Sequence, residues 1–201
     1  MDKNQLRNQL QRRRHAVSPT QRAQAALRIA QVAMRSGLFR RYRRIGIYLP
    51  HGMEINTLPL LNKMLTLGKQ VFLPVLPHGR GKKLWFNQIT INCRWQLNRY
   101  GMTENHGYFS IRAQRLDLLF MPLVGYDDSG YRIGMGGGYY DASLAYLRHR
   151  QQWRAPYLVG VAFTCQQVDG NVPRDVWDIP LNAILTEQSL HQFKPVRTAF
   201  V

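Results

Sequence analysis

One uninterrupted apolar segment limits the possible fold more than any other feature of the chain. Residues 117–121 read Asp-Leu-Leu-Phe-Met, and the apolar run that starts at Leu118 extends to Val124. A continuous run of this kind is typical of a strand that is buried on both faces of a parallel sheet. It is far shorter than the roughly 20 residues that a membrane-spanning helix requires. The segment therefore predicts a central strand of a parallel sheet.

Other short apolar segments alternate with helical patterns. Further strands are predicted at residues 45–49, 71–73, 84–86, 158–163 and 183–186. Residues 90–116 have no clear period, which predicts loops. Strands that alternate with helices imply right-handed crossovers and helices on both faces of one sheet. We therefore predict an α/β fold in a single domain over residues 1–201: three layers around a mostly parallel, Rossmann-like open sheet.

Capping residues predict where the helices begin. A first helix is expected through about His15. Ser18 is the expected N-cap of the second helix, with Pro19 at its first position and Gln21 completing a capping box.

Two later helices are predicted as well. One begins at Asn56 or Thr57, and the other covers residues 139–150. The apolar face of the first of these is predicted to consist of three leucines: Leu58, Leu61 and Leu65.

The charge is strongly positive and unevenly distributed. Lys and Arg number 28 against 11 acidic residues, a net charge of +17, and residues 1–44 alone hold 12 basic residues and one acid. Such an excess attracts polyanions, including nucleic acids and nucleotide phosphates. It is equally typical of a solvated arginine-rich helix face. A basic nucleic-acid-binding protein is therefore an alternative, although no RNA-recognition or helix-turn-helix motif is evident.

The cysteines, histidines and N-terminal segment favour a cytoplasmic protein. Cys93 and Cys165 match no disulfide framework, and the six histidines show no zinc-ligand spacing. The polar N-terminal segment does not resemble a secretory leader. We expect no membrane partner.

A glycine-rich segment follows the central strand at the edge where open α/β sheets bind ligands. It reads Arg132-Ile133-Gly134-Met135-Gly136-Gly137-Gly138-Tyr139-Tyr140-Asp141. Glycines let backbone N–H groups converge on one point, and the helix that follows adds its positive end, which favours an anion. The segment lacks the G-K-[ST] of a Walker loop and the last glycine of G-x-G-x-x-G. Its tyrosines can stack on a heterocycle, and Asp141 can hold Mg²⁺ against phosphate oxygens.

At these residues, together with the preceding Met-Pro-Leu-Val-Gly-Tyr-Asp, the sequence resembles the 5-formyltetrahydrofolate cyclo-ligase family. The resemblance covers nearly the whole chain. Its further matches are Lys3 and Arg7, the segment from Leu49 through 54–57, Trp177-Asp178-Ile179-Pro180, and 184–187. Three positions depart from the family pattern: Gly137 where many members carry Lys, Tyr126 in place of Phe, and Glu104-Asn105 where Glu-Pro is common.

The resemblance implies a role for each matched residue. Arg132 and Tyr140 would be catalytic, and Asp141 and Asp178 would hold Mg²⁺. The implied ATP-binding residues are Lys3, Arg7, Arg132, Gly134, Met135, Gly136, Gly137, Gly138, Tyr139 and Tyr140. The implied folate-binding residues are Leu49, Glu54, Tyr100, Ile133, Gly136 and Tyr139.

The resemblance also implies the reaction. ATP would phosphorylate the formyl oxygen of 5-formyltetrahydrofolate, a neighbouring folate nitrogen would attack the formyl carbon, and phosphate would leave. The products would be 5,10-methenyltetrahydrofolate, ADP and phosphate. We expect a monomer whose partners are the small-molecule substrates, with no nucleic-acid partner despite the basic N-terminal segment. A related α/β enzyme that acts on another phosphorylated substrate remains a second alternative.

Overall fold

A computed structural model of the chain describes residues 2–77, 79–107, 109–149 and 155–194. The helices are α1 (Lys3–His15), α2 (Pro19–Arg35), α3 (Leu38–Arg41), α4 (Leu58–Thr66) and α5 (Tyr139–Leu144). The strands are β1 (Arg44–Gly46), β2 (Gln70–Val75), β3 (Trp85–Gln88), β4 (Arg94–Leu97), β5 (Thr103–His106), β6 (Ser110–Ile111), β7 (Leu118–Pro122), β8 (Gly125–Tyr126), β9 (Arg132–Ile133), β10 (Tyr157–Val161), β11 (Ala183–Leu185) and β12 (Leu190–Gln192). Short 3₁₀ helices cover Ala113–Arg115, Ala145–His149 and Thr164–Gln166.

Eight strands form one sheet in the order β12-β11-β10-β7-β1-β2-β3-β6. The five central strands, β11, β10, β7, β1 and β2, pair in parallel, whereas β12, β3 and β6 pair antiparallel at the two ends. The predicted mostly parallel α/β sheet is thus confirmed. β7 lies between β1 and β10, and Leu118–Met121 are fully buried, as the apolar run predicted.

Hydrophobic clusters lie on both faces of this sheet. On one face, Ile29 of α2 and Leu60 of α4 pack against the sheet with Phe120. On the other face, Leu119 packs with Leu144 of α5. The sheet is therefore the middle of three layers.

The start of α2 follows the sequence prediction. The Ser18 hydroxyl accepts a hydrogen bond from the Gln21 backbone N–H (3.3 Å), and the Gln21 side chain accepts one from the Ser18 N–H (3.0 Å). Pro19 is the first helical residue, and α1 ends at His15. Among the described residues, no helix is long and apolar enough to cross a membrane.

The predicted apolar face of α4 was wrong for two of its three leucines. Leu58 and Leu65 are 44% and 38% exposed, whereas Leu60, Leu61 and Met64 are buried. The helix is apolar on most of its circumference, and its packing between α2 and β2 selects the face that is buried. Thr57 occupies the N-cap position of α4, but its hydroxyl donates to the Tyr48 carbonyl (2.6 Å). The Asn56 side chain instead accepts a hydrogen bond from the Leu58 N–H (3.0 Å) at the start of the helix.

Residues 90–116, which were predicted to be loop-rich, contain the antiparallel hairpin β4–β5 and the edge strand β6. The sequence of β4, Arg-Trp-Gln-Leu, alternates polar and apolar residues over only four positions, and all four are exposed, so the pattern was too short to predict a strand. Glu104 anchors the hairpin to the sheet, because its carboxylate accepts hydrogen bonds from the Leu76 N–H and the Asn98 amide (both 2.9 Å).

The helix predicted over residues 139–150 is shorter than expected. α5 ends at Leu144 and continues as the 3₁₀ segment Ala145–His149, and Arg150 lies outside the described residues.

Candidate functional site

The site lies beyond the carboxyl ends of β1 and β7. In chain order these are the first and third of the five parallel strands, and the chain leaves them in opposite directions along the sheet. Ligands of open α/β sheets bind at such a switch point. The loop after β1 carries Glu54, and the hairpin β8–β9 after β7 leads into the glycine loop, residues 134–138.

Buried Asp127 shapes the turn between β8 and β9. One carboxylate oxygen accepts from the N–H groups of Ser129 and Tyr131, and the other accepts from the N–H of Val172. This carboxylate is occupied by backbone donors, so its role is to hold the hairpin.

Helix α1 packs directly on this hairpin. Leu6 and Leu10 form a buried cluster with Val124 and Ile133. A Cβ on Gly125 would overlap with Leu10 Cδ1, so glycine is needed for this close approach. Ile133, a predicted folate contact, thus places its side chain in the α1 interface. The packing positions the first turns of α1 against the glycine loop.

Arg7 is bound to the glycine loop. Its Nε donates to the Gly134 carbonyl (2.9 Å), and its Nη1 donates to the Asn4 side chain (2.6 Å). A Cβ at Gly136 would lie 3.8 Å from Arg7 Nη2. Gly136 and Gly138 have φ of +98° and +68°, which other residues rarely adopt. Met135 and Gly137, also predicted for ATP, are exposed on the same loop.

Lys3 pairs with two carboxylates on the segment after Val172. Its ammonium donates to Asp175 (2.5 Å) and to Asp178 (2.8 Å). Partial burial lowers the pKa of Lys3, but the two carboxylates outweigh it, so that the pKa lies above its usual value. The predicted phosphate ligand Lys3 and the predicted metal ligand Asp178 are therefore direct partners.

Arg132 connects three parts of the site. It is 8% exposed, its Nη1 donates to the Ile179 carbonyl (2.7 Å), and its Nη2 donates to Asp141 (2.5 Å) in the first turn of α5. Charge-assisted bonds of this kind hold a guanidinium in one orientation. The structure thus brings Lys3, Arg7, Arg132, Asp141 and Asp178 to one site.

Glu54 and Tyr140 lie at the other end of the site. Burial raises the pKa of the Glu54 carboxyl, although it accepts a hydrogen bond from the His51 N–H (3.0 Å). Burial and the nearby Glu54 charge raise the pKa of the Tyr140 hydroxyl far above its usual value, against the opposing charge of Arg132. Tyr140 is thus under the influence of both Glu54 and Arg132. Leu49 is partly buried and packs against the core.

Tyr100 reaches the start of α5 from the β4–β5 turn. Its hydroxyl is 3.0 Å from the hydroxyl of Tyr139, which also accepts a hydrogen bond from Arg99 Nη2 (2.9 Å). These two hydrogen bonds, with Tyr100 first and Arg99 second, lower the pKa of Tyr139. The two predicted aromatic residues therefore meet on one side of the site.

Four residues of the site were not identified from the sequence: Arg14, Tyr48, Lys82 and Arg99. The Lys82 ammonium would lie 3.9 Å from a Cβ on Gly138, which adds a positive charge to the glycine loop from the segment between β2 and β3. No local motif marks any of the four, because each reaches the site through tertiary packing.

The two predicted metal ligands each retain an oxygen for a cation. The described part of the chain has no group of three or more His, Cys, Asp or Glu side chains suited to a metal. Within it, the Oδ2 of Asp141 and the Oδ1 of Asp178 form no hydrogen bond. Mg²⁺ usually keeps several waters and uses one or two carboxylates together with substrate phosphates. The donor set fits a Mg²⁺ held in that way.

Comparisons with known proteins agree with the resemblance. A model of the 5-formyltetrahydrofolate cyclo-ligase family matches residues 1–187. The 5-formyltetrahydrofolate cyclo-ligase of Haemophilus influenzae is 33% identical over 90% of this chain and 95% of its own length. The protein of that name in Escherichia coli K12 is 32% identical over 92% of this chain and 100% of its own length.

Solved structures have the same fold. The chain matches the NMR structure of Aquifex aeolicus 5,10-methenyltetrahydrofolate synthetase with a TM-score of 0.80 and 25% identity, over 100% of this chain and 97% of that one. The synthetase of the same name from Mycoplasma pneumoniae matches with a TM-score of 0.69 and 24% identity, over 93% and 99% of the two chains, which supports the fold.

Proposed function

The chain belongs to the 5-formyltetrahydrofolate cyclo-ligase family and is therefore an ATP-dependent ligase that forms 5,10-methenyltetrahydrofolate; we propose a role for each site residue in this reaction. The observation that supports this division best is the convergence of basic side chains on the glycine loop. Arg7 binds the loop, Lys3 lies at the adjoining Asp178, and Arg132 lies at the helix that follows the loop.

ATP would lie along the glycine loop. Its phosphates would accept hydrogen bonds from backbone N–H groups and from Lys3, Arg7 and Arg132, as the charges there favour. The loop residues assigned to the nucleotide are Gly134, Met135, Gly136, Gly137, Gly138, Tyr139 and Tyr140.

The folate would lie between the loop after β1 and the aromatic pair. Glu54 would accept hydrogen bonds from the pterin ring, and Tyr100 and Tyr139 would pack against it. Gly136 would face both substrates. Leu49 and Ile133 would pack behind the residues that contact the folate.

The reaction requires activation of a poor leaving group. The formyl oxygen would attack the γ-phosphorus and ADP would leave; the second folate nitrogen would then attack the formyl carbon and lose its proton as phosphate departs. Arg132 and the loop amides would stabilise the transferring phosphoryl group, chiefly by position and charge. The Tyr140 hydroxyl, whose pKa is raised by burial, would donate a hydrogen bond at the reacting oxygen.

Mg²⁺ would be held by Asp141 and Asp178 together with phosphate oxygens. When bound, it supplies positive charge to the phosphates. Arg132 and Lys3, which contact these two carboxylates directly, would keep them oriented.

We also propose a monomer whose single domain spans residues 1–201 and which works in the cytoplasm. Both core clusters pack on one sheet, and Cys93 and Cys165 are free thiols, as in reducing compartments. None of the relatives named above carries the name of a nucleic-acid-binding protein, so the comparisons give no support to that alternative.

A direct assay tests the reaction. The protein is mixed with Mg-ATP and 5-formyltetrahydrofolate, and the near-ultraviolet absorbance of the methenyl product is followed. We expect product only when ATP is present, with one ADP per methenyl group. Folded protein that forms no product under these conditions would contradict the function.

Lys3 and Arg7 provide a first prediction about the nucleotide. Replacing both with Gln should weaken ATP binding by about 1–3 kcal/mol, the usual size of charge-assisted contacts. Isothermal titration with ATP measures the loss. The control replaces the exposed Arg40, Arg41 and Arg43 with Gln and should leave turnover nearly unchanged. If the control loses salt-dependent RNA binding and the Lys3/Arg7 variant keeps normal ATP affinity, the nucleic-acid alternative is favoured instead.

Glu54 provides a prediction about the folate. Glu54→Gln should raise the KM for 5-formyltetrahydrofolate while the KM for ATP stays within a few-fold, because Gln cannot supply the negative charge. Asp169→Asn, a substitution at an exposed carboxylate, is the matched control. An effect limited to the KM for ATP would show that Glu54 faces the nucleotide.

A further inference from the structure

Arg14, in the last turn of α1, is a buried cation for which the described residues provide no side-chain partner. It is 4% exposed, and its buried Nε–H finds no hydrogen-bond acceptor among those residues. Within the part of the chain that the structure describes, its guanidinium forms no hydrogen bond or ion pair. Arg12 and Arg13 of the same turn are exposed.

A buried, unpaired guanidinium destabilises the free protein. Removing a charge from water is costly unless hydrogen bonds compensate for it, and buried arginines are ordinarily paired. Burial accordingly lowers the pKa of Arg14. Such a group favours a ligand with a hydrogen-bond acceptor that can pair with the buried Nε–H.

The position of Arg14 indicates which ligand. Arg7 follows Lys3 by four residues, and Arg14 follows Arg7 by seven. At 3.6 residues per turn, the three side chains therefore leave the axis of α1 within about 40° of one another and form one stripe. The two N-terminal members of this stripe lie at the proposed nucleotide. Arg14 lies near Glu54, whose negative charge favours its charged form, and Arg22 joins the two segments by donating hydrogen bonds to the backbone carbonyls of Arg14 and Met53. Arg14 is therefore at the end of the site proposed for the folate.

Arg14 is a hydrogen-bond donor and Glu54 an acceptor, and the two side chains lie near each other without direct contact. Each influences the pKa of the other, but no hydrogen bond or ion pair joins them among the described residues. A ligand that lies between them needs an acceptor for Arg14 beside a donor for Glu54. The 2-amino-4-oxopyrimidine edge of a pterin has this arrangement, with a ring carbonyl next to a ring N–H.

We propose that Arg14 donates a hydrogen bond to the ring carbonyl oxygen of the folate while Glu54 accepts from the adjacent ring N–H. This inference rests on the proposed place of Glu54 at the pterin. It makes Arg14 a specificity-determining residue, because a site that binds a carbonyl oxygen rejects an analogue with a donor in its place.

The test compares two ligands on two proteins. Binding of 5-formyltetrahydrofolate and of its 4-amino analogue is measured by titration calorimetry without ATP, on the full chain and on Arg14→Met. We expect the full chain to prefer the 4-oxo ligand. Arg14→Met should bind that ligand about 10- to 100-fold more weakly and lose part of the preference, with ATP affinity unchanged. The rest of the preference should remain, because the 4-amino analogue also lacks the ring N–H from which Glu54 accepts. Its Tm should stay the same or rise, because an unpaired buried charge is removed.

Controls separate this inference from the proposed function. Arg12→Met, an exposed change in the same turn, should keep both affinity and preference, and Arg14→Lys, which keeps a charged donor, should keep more of the preference than Arg14→Met. A full chain that binds no 5-formyltetrahydrofolate would contradict the proposed function. An active full chain whose Arg14→Met variant keeps the full 4-oxo preference, or loses ATP binding or its fold instead, would overturn the role of Arg14 alone.

Discussion

Arg132→Gln should reduce turnover about a thousandfold while the protein stays folded. Arg132 is buried and held at both ends, by the Ile179 carbonyl and by Asp141, so its charge is oriented before the substrates bind. Gln is neutral and shorter and cannot reach both partners. Loss of one preorganised electrostatic contact commonly costs 10²–10³ in kcat, and this residue also positions Asp141. Methenyl absorbance measures kcat, and circular dichroism checks the fold.

The control for this prediction is Arg115→Gln. Arg115 is an exposed arginine in a 3₁₀ helix outside the site, so its loss should leave kcat nearly unchanged. A folded Arg132→Gln variant with kcat within threefold of the original would show that Arg132 only fastens α5 to the segment containing Ile179.

Asp141→Asn should reduce turnover about a hundredfold and raise the Mg²⁺ concentration needed for half-maximal rate. The carboxylate holds Arg132 at 2.5 Å and retains one oxygen that is proposed to bind the metal. Asn keeps the shape but removes the charge that both partners need. The rate is measured across a Mg²⁺ titration at saturating ATP.

The Mg²⁺ titration separates the two roles of Asp141. A lower rate with unchanged Mg²⁺ dependence would leave Asp141 as the partner of Arg132 only, and a normal rate in magnesium would end the metal assignment. Asp169→Asn, at an exposed carboxylate outside the site, should change neither quantity.

The sequence alone predicted the structure correctly where a local pattern is compatible with only one arrangement of the chain. An uninterrupted apolar run can be satisfied only by burial on both faces, and β7 is such a strand. The Ser18–Gln21 pair marks a helix start because it supplies partners for N–H groups that every helix leaves free. The glycine segment and its neighbours placed the chain in its family, and the structure brings the matched charged residues together.

Other features depended on packing between distant residues. In α4, three leucines looked alike, and only contact with α2 and β2 decided which of them were buried. Lys3 and Asp178 are 175 residues apart, so no spacing in the sequence shows that they pair.

The triplet Arg12-Arg13-Arg14 shows most clearly what the tertiary structure decided. The three residues are chemically identical and adjacent, and the sequence indicates only that the segment is strongly basic. Folding buries Arg14 and leaves Arg12 and Arg13 exposed, because α1 rests on the β8–β9 hairpin through Leu6 and Leu10 and so directs one side of its last turn inward. Burial removes the Nε–H of Arg14 from water, and this loss distinguishes Arg14 from Arg12 and Arg13, whose side chains are exposed.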